Sequence, residues 1–180
     1  MSTHSRAHGI LLFAIVMLAA ASVALVAGLV GGFGRHGPAA RTSCQPSHEA
    51  TQVVQVGLYD GGAMMGQSPT MLRIIPSPSG SSAGQVTFVV TNYGQLNHEF
   101  LVLPMPADGL GTRPVAGSGK IDEAQSLGEA STSCGAGPGD GISSGSRSWV
   151  TLTLGPGTYE LLCDIPWHYA NGMAASFTVN

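Results

Sequence analysis

Charge is scarce in this chain. Asp, Glu, Lys and Arg together make up 9% of 180 residues, aromatic residues 6%, and the formal net charge is -3. Beyond the N-terminal region the basic residues are Arg73, Arg113, Lys120 and Arg147, set far apart. With no basic cluster and no interleaved aromatic pattern, nucleic-acid binding is excluded. Cysteine is also scarce. The three present, Cys44, Cys134 and Cys163, are an odd number, so one thiol is left over from any pairing. After Cys44 there is no long helical pattern and there are no internal repeats.

One apolar run stands against this background. Ile10 to Val30 holds no charged residue and is built of Leu, Val, Ile and Ala, long enough to cross a bilayer, which takes roughly 20 residues. Two readings compete. An uncleaved single-pass anchor is favoured, because the run continues through Leu25, Val26, Leu29 and Val30. A signal peptide cleaved near Ala19-Ala20-Ala21 or Ser22-Val23-Ala24 is the alternative. Arg6, Arg35 and Arg41 flank the run and orient it only weakly. Either way the remainder is expected outside the cytoplasm. The expected organisation is residues 1–33 as anchor or signal segment, 34–50 as a Gly/Pro/Ser linker, and 51–180 as one domain, a normal size.

Within that domain short segments alternate with period two. Val54, Val56 and Leu58 share one side of Gln52–Tyr59, and a short apolar run spans Met71–Ile75. Val86, Phe88 and Val90 oppose Thr87, Val89 and Thr91. His98–Leu103 follows after a turn at Gly94. Val150, Leu152 and Leu154 share a side near the end. Tyr159 and Leu161 alternate against Glu160, and Ala175, Phe177 and Val179 line the last segment. Alternation broken by Gly/Pro turns predicts an all-β, Greek-key β-sandwich preceded by one N-terminal hydrophobic helix. Between Met105 and Arg147 no strand pattern is visible, and one short helix is expected within Ile121–Ala130. A connection that long without structure is unusual in a compact domain.

The segment that carries chemistry is Cys163-Asp164-Ile165-Pro166-Trp167-His168-Tyr169-Ala170-Asn171-Gly172-Met173, of the form C-x4-H-x4-M between two expected strands. A thiolate, an imidazole and a thioether on one loop can close around one ion. One further nitrogen completes a blue-copper set of two His and one Cys with a weak axial Met, and His98, at the start of an upstream strand, supplies it. Thiolate and thioether favour reduced copper, while imidazole suits both oxidation states. Zinc in structural sites takes Cys and His, and Met suits it poorly. The ordinary readings are a core thiol for Cys163 and core filling for Met173; spacing weighs against them for Cys163 and His168. Met64, Met65 and Met71 are read as core filling rather than a copper-delivery patch.

With these residues in view, the chain resembles type 1 copper proteins of the plastocyanin/azurin superfamily, the cupredoxins. The resemblance is carried by Val86-Thr87-Phe88-Val89-Val90-Thr91-Asn92, by Asn97-His98-Glu99-Phe100, by Gly155 to Cys163 and by the ligand loop. The C-x4-H-x4-M spacing is similar to that of rusticyanin and sulfocyanin. It implies one type 1 copper held by His98, Cys163, His168 and Met173, and single-electron transfer between redox partners rather than catalysis. Multicopper oxidases share the spacing, but there histidines flank the cysteine; here the neighbours are Leu162 and Asp164. One departure is notable. In plastocyanins and azurins a polar residue, often Asn, follows the first histidine and ties the ligand loops together, whereas Glu99 stands here.

Further expectations follow. With Cys163 on the metal, Cys44 and Cys134 are left to pair, a bridge an oxidising compartment permits; two unpaired thiols are the alternative. Trp167 and Tyr169 form either loop packing or an apolar collar where a redox partner docks, to which Pro104, Met105 and Pro106 are candidate contributors. The competing function is an extracytoplasmic copper-binding protein for delivery or resistance. A metal-free adhesion sandwich is a third reading.

Overall fold

The computed structural model describes Pro46, residues 52–61 and residues 71–180, all within one compact unit, Ser43–Asn180. The expected anchor over residues 10–30, the linker apart from Pro46, Cys44, Met64 and Met65 lie outside the described residues. Among the described residues no helix is long and apolar enough to cross a membrane.

The domain is the expected all-β sandwich. One sheet has the order β2 (Arg73–Ser77), β1 (Gln52–Tyr59), β4 (Gly84–Asn92), β8 (Arg147–Leu154). The other runs β3 (Gly80–Ser81), β10 (Ala174–Val179), β9 (Gly157–Leu162), β5 (Phe100–Pro104), β6 (Gly128–Thr132), β7 (Gly137–Gly141). β1 runs parallel to β4, with Val56 opposite Val90, and β8 runs antiparallel to it, with Val150 opposite Phe88. The period-two pattern is satisfied directly: Val54, Val56, Leu58, Val86, Phe88 and Val90 of one sheet meet Phe100, Val102, Leu161, Phe177 and Val179 of the other. Phe88 sits at the centre, its ring 5.4 Å from Phe100 and 5.1 Å from Phe177.

The stretch from Met105 to Arg147 departs from expectation. The helix expected within Ile121–Ala130 does not form. The Asp122 side chain takes the Ala124 N–H at 3.0 Å, a local turn that competes with helix, Gly128 has φ 151°, and β6 begins there to pair Ala130 with Phe100. β7 follows, in a Gly-rich sequence with no apolar alternation to betray it. Residues 105–127 instead cover the outer face of β5 and β9. A second apolar cluster of Leu101, Leu103, Ile121, Leu162 and Tyr169 fills the gap, which is why Phe100 to Leu103 are buried on both sides. Glu160 points into this covered layer and is fully buried. It bonds Arg113 Nε at 2.6 Å and accepts from the Tyr169 hydroxyl at 3.0 Å and the Gly111 N–H at 2.8 Å.

Candidate metal centre

The ligand loop joins β9 to β10, and its two ends are stitched together. The Cys163 N–H donates to the Met173 carbonyl at 3.2 Å, and the Met173 N–H to the His168 carbonyl at 3.1 Å. Within the loop, His168 N–H donates to Ile165 O at 2.9 Å and Gly172 N–H to Tyr169 O at 2.8 Å. Trp167 adopts φ 73°, a costly conformation for a bulky residue. Its N–H donates to Gly119 O at 2.8 Å, and its carbonyl accepts from the Asn171 side chain at 2.8 Å.

His98 precedes β5 and is pinned by a two-way backbone bridge with Ile142. Asn92, at the end of β4 and fully buried, braces the turn that delivers it. Its side-chain amide donates to Leu96 O and Ile142 O, each at 2.7 Å, and its oxygen accepts from the Gly94 N–H at 2.8 Å. The result is a cluster. One donor atom each from His98, Cys163 and His168 lies within 4.8 Å of the others. The two Nδ1 atoms are 3.2 Å apart, and Cys163 Sγ is 3.4 Å from His168 Nδ1. Two nitrogens bound to one ion at about 2.0 Å in tetrahedral array lie roughly 3.3 Å apart, so the spacing suits a single metal. Met173 is fully buried in the same core cluster as Cys163, its backbone bonded to both Cys163 and His168.

Burial shapes the electrostatics. It pushes the Cys163 thiol up to about 12 in the metal-free chain, against the lowering effect of the Glu99 and Ile165 backbone amides. The Glu99 N–H donates to Sγ at 3.2 Å, a contact that favours the thiolate a metal requires. Burial also holds His98 and His168 below the ordinary histidine value, the neighbouring His98 adding to the effect at His168. Both rings are therefore neutral and able to ligate.

The structure resolves the departure at Glu99. The tie between the two loops is its backbone N–H on Cys163 Sγ, not its side chain, while the buried Asn92 amide braces only the turn that leads to His98. The Glu99 carboxyl lies 3.9 Å from Lys120 Nζ, which also stands 3.6 Å from the buried Asp164. Asp164 Oδ1 accepts the Ile121 N–H at 2.7 Å. Nearby, a hydrogen bond to Asp164 and then burial push Glu123 up to about 7.

Two expectations about the collar need correction. Tyr169 is 3% exposed; its hydroxyl is committed to Glu160 and receives the Arg113 N–H at 3.0 Å, so it packs the loop and offers nothing to a partner. Pro104 and Met105 pair with Tyr159 and Thr158 at the far end of β5, about 20 Å of strand from His98. Trp167 does lie at the surface, 53% exposed. Sequence reasoning missed the roles of Asp60, Lys120, Arg113 and Glu160, since each acts on a partner distant in the chain, and of Asn92, whose turn contacts carry no pattern that marks them.

A thiolate, two imidazoles and a buried thioether on one loop-and-strand frame are soft and borderline donors. This is the donor set of a blue copper site. Copper fits it better than zinc, because Met is a poor zinc ligand. No protein-family model matches the chain, and no curated protein matches it. Among solved structures, similar ones include dithionite-reduced auracyanin from Roseiflexus castenholzii, 17% identical over 73% of this chain and 98% of that one, TM-score 0.47. Auracyanin A, described as a blue copper protein from Chloroflexus aurantiacus, is 17% identical over 71% and 99%, TM-score 0.44. Reduced rusticyanin is 20% identical over 73% and 81%, TM-score 0.44. At these identities and scores the metal assignment rests on the donor atoms of this chain.

Proposed function

We propose that this chain is a cupredoxin that carries single electrons between redox partners outside the cytoplasm, with His98, Cys163, His168 and Met173 as ligands of one copper ion. The observation that carries the reading is the cluster of His98 Nδ1, Cys163 Sγ and His168 Nδ1, assembled from two remote segments on a braced β frame. Bound copper supplies a one-electron couple there. The protein's part is to keep the donors in one arrangement and to keep water out: His98, Cys163 and Met173 are all fully buried. A frame that does not rearrange between oxidation states keeps the barrier to electron transfer low. The same burial argues against the competing delivery role, which needs ligands open to exchange.

His168 is the least buried of the three clustered donors, and exposed Trp167 stands beside it. The proposed docking patch is therefore Trp167 with Leu96, 52% exposed, ahead of His98. Residues 10–30 are proposed as a membrane anchor with the domain on the extracytoplasmic side, or as a cleaved signal segment with the domain exported. Among the described residues Cys163 is the free cysteine, and the proposed bridge is Cys44–Cys134.

Absorption and EPR spectra of the copper-loaded protein test the reading. An intense copper(II)–thiolate band with reversible voltammetry is expected, lost in Cys163→Ser. Weak, exchangeable copper(I) binding with no stable oxidised form would point to delivery instead.

A further inference from the structure

Asp60 is the first residue after β1, and the pairing of Leu58 with Asn92 brings it beside the turn that leads to His98. The Tyr93 N–H donates to Leu58 O at 2.9 Å and holds the two segments together. Asp60 Oδ2 then receives three nitrogens: Leu96 N at 2.6 Å, Gln95 N at 2.7 Å and His98 Nε2 at 3.2 Å. A Cβ at Gly94 would fall on this carboxylate and on the Asp60 backbone, so the turn closes here only because the residue is glycine.

We propose that Asp60 is a positioning residue of the copper centre: it holds His98 with Nε2 protonated and Nδ1 facing Cys163 and His168, and it keeps a negative charge behind that ligand. The proposal rests on the copper reading, but its first consequence belongs to the metal-free chain. A neutral imidazole has one donor nitrogen and one acceptor. Against a carboxylate oxygen already accepting two amides, Nε2 must be the donor, which leaves the Nδ1 lone pair for metal. Carboxylates bonded to a ligating histidine fix its tautomer and raise its basicity. A fixed anion on this side favours copper(II) over copper(I). The Gln95 and Leu96 contacts alone would make Asp60 a loop cap with no such effect.

Two variants separate these roles. Asp60→Asn keeps the volume and an acceptor oxygen but removes the charge; Asp60→Ala removes both. In the metal-free protein, long-range nitrogen–proton NMR of His98 should show a single Nε2–H tautomer in the wild type and in Asp60→Asn, and a mixture in Asp60→Ala. An unchanged tautomer in Asp60→Ala would overturn the positioning role. In the copper-loaded protein, Asp60→Asn should lower the ratio of copper(II) to copper(I) affinity about tenfold, a rise in potential of about 59 mV for one electron. An unchanged potential would overturn the electrostatic role. A wild type that forms no copper(II)–thiolate band would sink the copper reading while leaving the tautomer result standing, so the two failures are distinguishable.

Discussion

At Cys163 burial and function pull in opposite directions. A fully buried thiol raised to about 12 is protonated at neutral pH, whereas a metal takes the thiolate. Loading must therefore expel that proton, and affinity falls as pH falls. The apparent copper dissociation constant should rise about tenfold for each unit that pH falls from about 9, and more steeply only once pH drops below the lowered folded-state values of His98 and His168, where protons also compete for the imidazoles. Competition titrations with a chromophoric chelator check this; a flat profile would mean the thiolate is preformed. The histidines give the metal-free fold its own pH dependence. Burial depresses both from 6.5, so the unfolded chain takes up protons first. Their contribution is intact above pH 6.5 and is lost as pH falls towards the folded values, which urea midpoints across pH 7.5 to 5 would register. Met173 is core as well as candidate ligand. Met173→Ala should cost about 2–5 kcal/mol in the metal-free protein, and Met173→Leu less than about 1.5 kcal/mol. If the thioether is a ligand, the Leu variant also shifts the reduction potential.

The element that most affects the ligand loop is the covering connection, residues 105–127. Gly119 has φ 84°, and a Cβ there would sit 2.8 Å from the Trp167 backbone nitrogen and 2.9 Å from its ring. Gly119→Ala should destabilise the domain by about 1–3 kcal/mol and perturb the copper spectrum, although residue 119 is no ligand. An unaltered spectrum and melting temperature would show that this contact does not matter. Beneath the same connection, Arg113 neutralises buried Glu160. Arg113→Met should cost about 3–5 kcal/mol by stranding that charge, measurable by chemical denaturation. None of this was legible in the sequence. Strands β1, β4, β8, β9 and β10 announced themselves because apolar residues recur at every second position on the side that meets the core. β6 and β7 did not, since Gly137-Pro138-Gly139-Asp140-Gly141 buries almost nothing and its pairing is set by neighbours. Glu160 fitted an alternating pattern and implied an outward polar face. That face is buried because a distant segment folds over it.

For the molecule as a whole, the candidate ligands hang on a frame held by backbone hydrogen bonds and an apolar core. Copper removal should leave the far-ultraviolet circular dichroism unchanged and lower the melting temperature, since binding to the folded state alone stabilises by mass action, about 2.7 kcal/mol at a hundredfold excess over Kd. Collapse of the dichroism on removal would mean that metal organises the sandwich. The sequence by itself determined the fold class, through apolar residues recurring at every second position, and three candidate ligands of one loop, through spacing that covalent connectivity enforces. It also singled out His98, though not the reason His98 is usable. Tertiary structure alone decided that a carboxylate 38 residues earlier bonds its outer nitrogen, that Tyr169 turns inward and Trp167 outward, and that the chain between Met105 and Leu127 is a lid over a second core. Those features depend on residues remote in the chain meeting at one place, and no local pattern encodes such a meeting.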